Sequence, residues 1–179
     1  MKRTILFVTA LAVATLAWAQ SPADQIEKAL GAAPAQMKAA ATVIKWKPDF
    51  TYDTLKQGTN KLVCYDRSGL PGQQAFSLEC TSLANLPRAA QNLKFEAMGA
   101  QKQAMLDAAE KDGTRVKPEY GSVWYHLMGA SKEAARTHMT IAIPFATTKT
   151  TGLPEDNKQG GVYIMNAGTS TAHIMTPGE

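Results

Sequence analysis

Cysteine is scarce in this chain, charged residues are sparse, and long apolar runs are missing after the first segment. Only two cysteines, Cys64 and Cys80, occur in 179 residues. That excludes a zinc ribbon, a C-x-x-C redox pair and a C-x-x-C-H haem attachment, all of which need closely spaced cysteines. Asp, Glu, Lys and Arg together make up 19% of the chain, and the basic residues stand singly among acids. Without a basic stripe to neutralise phosphates, nucleic acid is excluded as a partner. No G-x-S-x-G elbow, H-E-x-x-H pair, P-loop or dinucleotide fingerprint is present. The acids at Glu155-Asp156 lack the spaced ladder of a calcium loop. Repeats and low-complexity tracts are absent too, and the remaining composition is that of one globular domain.

The N-terminal segment is the most distinctive. Lys2 and Arg3 precede an apolar run from Ile5 to Leu16, and Ala17-Trp18-Ala19 before Gln20 is a small-x-small cleavage pattern. Residues 1–19 therefore read as a signal peptide and 20–179 as the mature domain, with no stop-transfer pattern and no membrane span after it. Removing Lys2 and Arg3 lowers the formal charge from +4 to +2, so part of the basicity belongs to the export signal. A periplasmic or secreted bacterial protein meets oxidising conditions. Cys64 and Cys80 are then expected to form a disulfide, stabilising the fold by about 3 kcal/mol in the chain-entropy account.

Along the mature chain, Ser21-Pro22 begins a short helix that Gly31 ends. Strands are predicted near 41–46, 61–65 and 75–80, the last two bracketing the breakers Gly69, Pro71 and Gly72. A helical period runs from about Asn85 to Lys111, with Leu86, Ala90, Leu93, Ala97, Ala104 and Ala108 near one face and Gly99 as a weak point. Four further apolar runs of strand length follow, at 121–128, 137–143, 162–165 and 172–175. The loop 147–161 is long and polar. The fold class expected is α+β, with a small, mainly antiparallel sheet packed against one long alanine-rich helix and stapled by one disulfide.

Each of the three histidines lies within two residues of a methionine: His126 and Met128, His138 and Met139, His173 and Met175. Imidazole and thioether suit copper or another soft metal. Positions i and i+2 of a strand share a face, so the first and third pairs each present two ligands together, while His138 and Met139 point apart. The alternative is that methionine fills apolar strands and histidine sits in the core or at an edge. Trp46, Trp124, Tyr125 and Tyr163 are read chiefly as core or cross-strand aromatics.

Two segments resemble a family of small secreted bacterial proteins with no assigned function. They are Gly58-Thr59-Asn60-Lys61-Leu62-Val63-Cys64 and the stretch from Gly161 to Met175, which ends in Gly168-Thr169-Ser170-Thr171-Ala172-His173-Ile174-Met175. The resemblance implies a shared fold and brings no catalytic residues. It favours His138 and His173 over His126, whose surroundings depart from the family's pattern. The expected role is non-enzymatic binding of a small ligand or a partner, with no cofactor identified. The alternatives are a soft-metal site at His173 and Met175 with His138, and an uncharacterised hydrolase.

Overall fold

A computed structural model describes residues 20–158 and 160–177. The export signal read at residues 1–19 lies outside the described residues. Strands β1 (Thr42–Trp46), β2 (Tyr52–Lys56), β3 (Leu62–Asp66), β4 (Phe76–Ser82), β5 (Val123–Gly129), β6 (Arg136–Ala142), β7 (Tyr163–Met165) and β8 (His173–Met175) form one sheet. Its order is β2-β1-β3-β4-β5-β6-β8-β7, with every pairing antiparallel except β1 with β3. Helices α1 (Pro22–Ala29), α2 (Leu86–Glu96), α3 (Lys102–Asp112) and the single turn α4 (Thr148–Thr151) complete the α+β fold. Among the described residues, no helix is long and apolar enough to cross a membrane.

Local chemistry explains the element ends. Ser21 and Asp24 form a reciprocal capping box at the start of α1, and Pro22 occupies the first turn, where its missing N–H costs nothing. β2 is not anticipated by the sequence. It is a polar edge strand, mostly exposed, that pairs only with β1. The chain returns from β2 to β3 through the Gly58-Thr59-Asn60 motif. A Cβ at Gly58 would lie 2.3 Å from the Ala40 carbonyl oxygen. That same oxygen accepts from the Thr59 and Asn60 amides at 2.8 and 3.1 Å. The motif is thus a backbone splice holding the loop against the start of β1.

The expectation of one long alanine-rich helix is corrected. Residues 86–112 form two helices, α2 and α3, separated by a short 3-10 turn at Gly99–Gln101. Gly99 takes φ +55°, a left-handed conformation open to glycine that ends the helical path. Burial gives the second reason. Leu86, Ala89, Leu93 and Phe95 of α2 are buried, whereas Ala109 is the only buried residue of α3. The alanines at 104 and 108 face solvent, so no continuous apolar stripe holds the two segments in line.

The sheet has two differently furnished faces. On one, Leu86, Ala89 and Leu93 of α2 pack on Ile44, Trp46, Val63, Tyr65 and Trp124. On the other, the N-terminal segment brings Ala33 and Ala41 against Leu62, Cys64 and Cys80. Cys64 and Cys80 are direct partners in the β3–β4 register and form the expected disulfide, with Cα atoms 4.1 Å apart.

Candidate functional site

The α2 side of the sheet carries a row of polar residues. Register places Tyr65 opposite Glu79, Glu79 opposite His126, and His126 opposite His138, so one side chain from each of β3, β4, β5 and β6 stands in line. Direct cross-strand neighbours on one face are close enough to touch. The Tyr65 hydroxyl donates to Glu79 Oε1 at 2.5 Å, and Arg67 Nη1 lies 2.9 Å from Glu79 Oε2. His126 Nδ1 is 3.1 Å from that same oxygen, close but without the alignment of a good hydrogen bond. The His138 ring stacks on His126 with centroids 4.5 Å apart.

Glu79 is only 2% exposed. Burial alone would raise its pKa, but Arg67, His126 and Tyr65 outweigh that penalty and hold it at about 2, so the carboxylate stays ionised. Burial, and then the Glu79 charge, push the Tyr65 phenol well above its ordinary value. The tyrosine is therefore a fixed donor. His138 is pushed down to about 4, first by burial and then by repulsion from His126. His173 is lowered mainly by burial, against the opposing effect of the Thr171 carbonyl. His138 and His173 are accordingly neutral near pH 7.

Beside this row lies a cavity of about 250 Å³ between α2 and the β5–β6–β8 part of the sheet. All three histidines line it, together with Trp124, Thr140 and Met175. Thr140 pairs with Met175 and Ala142 with His173 in the β6–β8 register, which carries the C-terminal motif to the cavity wall. From α2 come Arg88 and Asn92, and from β3's end Arg67. Arg88 donates through Nη1 to the Val116 carbonyl and through Nη2 to Thr171 Oγ1, the latter at 2.7 Å. His173 Nδ1 is 2.7 Å from the Thr171 carbonyl oxygen. A carbonyl only accepts, so Nδ1 carries the proton and Nε2 presents a lone pair.

The structure brings the sequence-predicted residues together. His138, His173 and Met175 line the same cavity, and so does His126, which the family resemblance set aside. Met139 falls on the opposite face, as strand alternation requires. Trp46 and Trp124 are core residues, and Trp124 also reaches the cavity. Among the described residues, no group of three or more His, Cys, Asp or Glu side chains is arranged to hold a metal ion. The set read from the sequence includes a thioether as well as imidazoles.

Sequence reading missed Arg67, Glu79 and Arg88. The available signal was a charged residue inside an apolar strand, Glu79 between Leu78 and Cys80.

Chemically, Glu79, His126 and Thr140 stand in the carboxylate–imidazole–hydroxyl order of a nucleophilic triad. The final step, His126 Nε2 to Thr140 Oγ1, is 3.5 Å, at the outer limit of a hydrogen bond. Comparison of the chain with family models, curated proteins and solved structures finds no match in any of the three.

Proposed function

We propose that this chain is an exported, non-enzymatic binding protein and that its small ligand occupies the cavity lined by His126, His138 and His173. The observation that carries the reading is the convergence of three imidazoles from three neighbouring strands on one cavity backed by ionised Glu79. Polar residues in a partly apolar cleft, among them His173 and Arg88 fixed by hydrogen bonds to Thr171, are the ordinary furniture of a ligand site. Export is supported by the leader-like residues 1–19 and by the disulfide.

Protein isolated from the native exported fraction without dialysis should begin at Gln20. In native mass spectrometry it should carry a low-mass non-covalent adduct. Ala142→Phe, which fills the cavity from β6, should remove that adduct. A bare chain mass in the unaltered protein overturns the binding reading, and retention of Met1 overturns export.

A second reading is soft-metal binding. It is favoured by His138, His173 and Met175 lining one cavity and by the Thr171 carbonyl fixing the His173 tautomer, a contact typical of metal-binding imidazoles. Calorimetric titration with Cu(I) tests it, and binding no tighter than millimolar ends it. Arg67 and Arg88 in the same wall work against a cation.

A further inference from the structure

We infer that the ligand of this cavity is a short hydroxy acid, its carboxylate received by Arg88 and its hydroxyl hydrogen accepted by His173. The inference rests on the preceding reading that the cavity is a ligand site.

Charge balance is the first ground. Two guanidiniums line the cavity, and they are treated differently. Arg67 is paired with Glu79, which is also engaged by Tyr65 and His126 and stands in no ion-pair contact with Arg88. Arg88 is 3% exposed, yet its hydrogen bonds go to a carbonyl and a hydroxyl, both neutral. Among the described residues no carboxylate is in ion-pair contact with Arg88. Glu110 acts on it only at longer range, bonded to the far side of the Thr171 hydroxyl at 3.3 Å. Arg115, also buried, adds a repulsion. Buried arginines are normally paired, because an unpaired buried charge bears the full cost of its lost hydration. A ligand carboxylate removes that imbalance and makes the charge-assisted bonds for which guanidinium is suited.

The second ground is hydrogen-bond polarity. Because His173 Nδ1 donates to the Thr171 carbonyl, its Nε2 presents a lone pair that a donor on the guest would meet. The guest therefore carries an O–H or N–H as well as the anion. An ammonium would add positive charge beside Arg67 and Arg88, so the hydroxyl is the compatible donor.

Size is the third. Both recognition groups are anchored on Thr171, one through its hydroxyl and one through its carbonyl, which places them side by side. A volume of about 250 Å³ lies below the range of about 300–1,000 Å³ for drug-sized sites, so the guest has few heavy atoms. Trp124, Ala142 and Met175 supply walls for a short carbon body.

The test titrates the full exported chain with lactate, lactamide and propionate while following the ring resonances of His138 and His173 by NMR. Lactate should produce a saturable shift. Lactamide, lacking the charge, and propionate, lacking the hydroxyl, should each bind about tenfold more weakly or worse, as should lactate to the Arg88→Gln chain. Equal binding of lactate and lactamide, or of lactate and propionate, overturns the inference while the cavity remains a ligand site. The same holds if inorganic phosphate or Cu(I) moves these resonances and lactate does not. If none of these probes moves them, the inference and the cavity reading fail together. The comparison among ligands uses the unaltered chain, so it stands even if the Arg88 variant does not fold.

Discussion

The two faces of the sheet are built from the same strands and solve different problems. In β3, Cys64 faces the N-terminal segment and Tyr65 faces α2; in β4, Cys80 and Glu79 divide in the same way. One face is closed by small apolar side chains and a covalent bond. The other encloses an ionised acid, two arginines and three histidines. The difference shows how a small domain keeps a charged interior. The charges are confined to one side and every carboxylate oxygen is matched, while the other side supplies dry packing at little electrostatic risk.

Breaking the charged face should have the largest effect. Glu79→Gln leaves the Arg67 charge buried without its counter-charge and one acceptor oxygen where there were two, so unfolding free energy should fall by about 3–5 kcal/mol in chemical denaturation. A loss under about 1 kcal/mol would mean that the network is better solvated than its burial implies. On the opposite face, replacing both Cys64 and Cys80 by alanine should cost about 3 kcal/mol and lower the melting temperature by several degrees. An unchanged melting curve would move the stabilising role from the disulfide to the packing around it.

Acidification sharpens the comparison, because it acts on the α2 side. His138 and His173 have folded pKa values below their unfolded value of 6.5, that of His138 at about 4. The unfolded chain binds protons first, so this contribution is full above about pH 6.5 and is lost as the pH falls toward about 4. Glu79 adds stability above its ordinary 4.5 that is lost only as the pH falls through about 2. Denaturation followed between these limits should show the decline in that order. His138→Asn should flatten the upper part, and an identical slope in that variant would remove His138 from the account. The smallest effect is expected at Met139, next to His138 in sequence but on the other face and 43% exposed. Met139→Gln should change stability by no more than about 0.5 kcal/mol.

Much of this was legible in the sequence because period-2 alternation and turn residues act locally. Both cysteine-bearing strands, the C-terminal strands, the Ser21-Pro22 helix start and the same-face placement of His173 and Met175 follow from such patterns. The sequence pattern reads as one long helix because apolar periodicity continues past Gly99, while burial does not. β2 was hidden by its polarity, since an edge strand such as Tyr52–Lys56 needs little apolar content to pair on one side. The cavity was half legible. His138, His173 and Met175 were marked by residue type, but Arg67 and Arg88 come from distant elements and look like ordinary surface charges until the sheet and α2 close over them. The two familiar motifs also separate by role. Gly58-Thr59-Asn60 secures backbone, and Thr171 to Met175 furnishes the cavity wall.

The direct pairing of Cys64 with Cys80 has a consequence for how the acid reaches its place. A slip of one residue between β3 and β4 would turn Glu79 toward the apolar Ala33 and Ala41, away from its partner Arg67. Once sulfur joins sulfur, that slipped alignment is no longer open to the chain. The bond spans only 16 residues, whereas the histidines opposite Glu79 and beyond arrive from positions 126, 138 and 173. Oxidation of the two thiols can therefore fix the phase of these two strands before their distant neighbours assemble, making the disulfide a ruler that positions charge on the far side of the sheet.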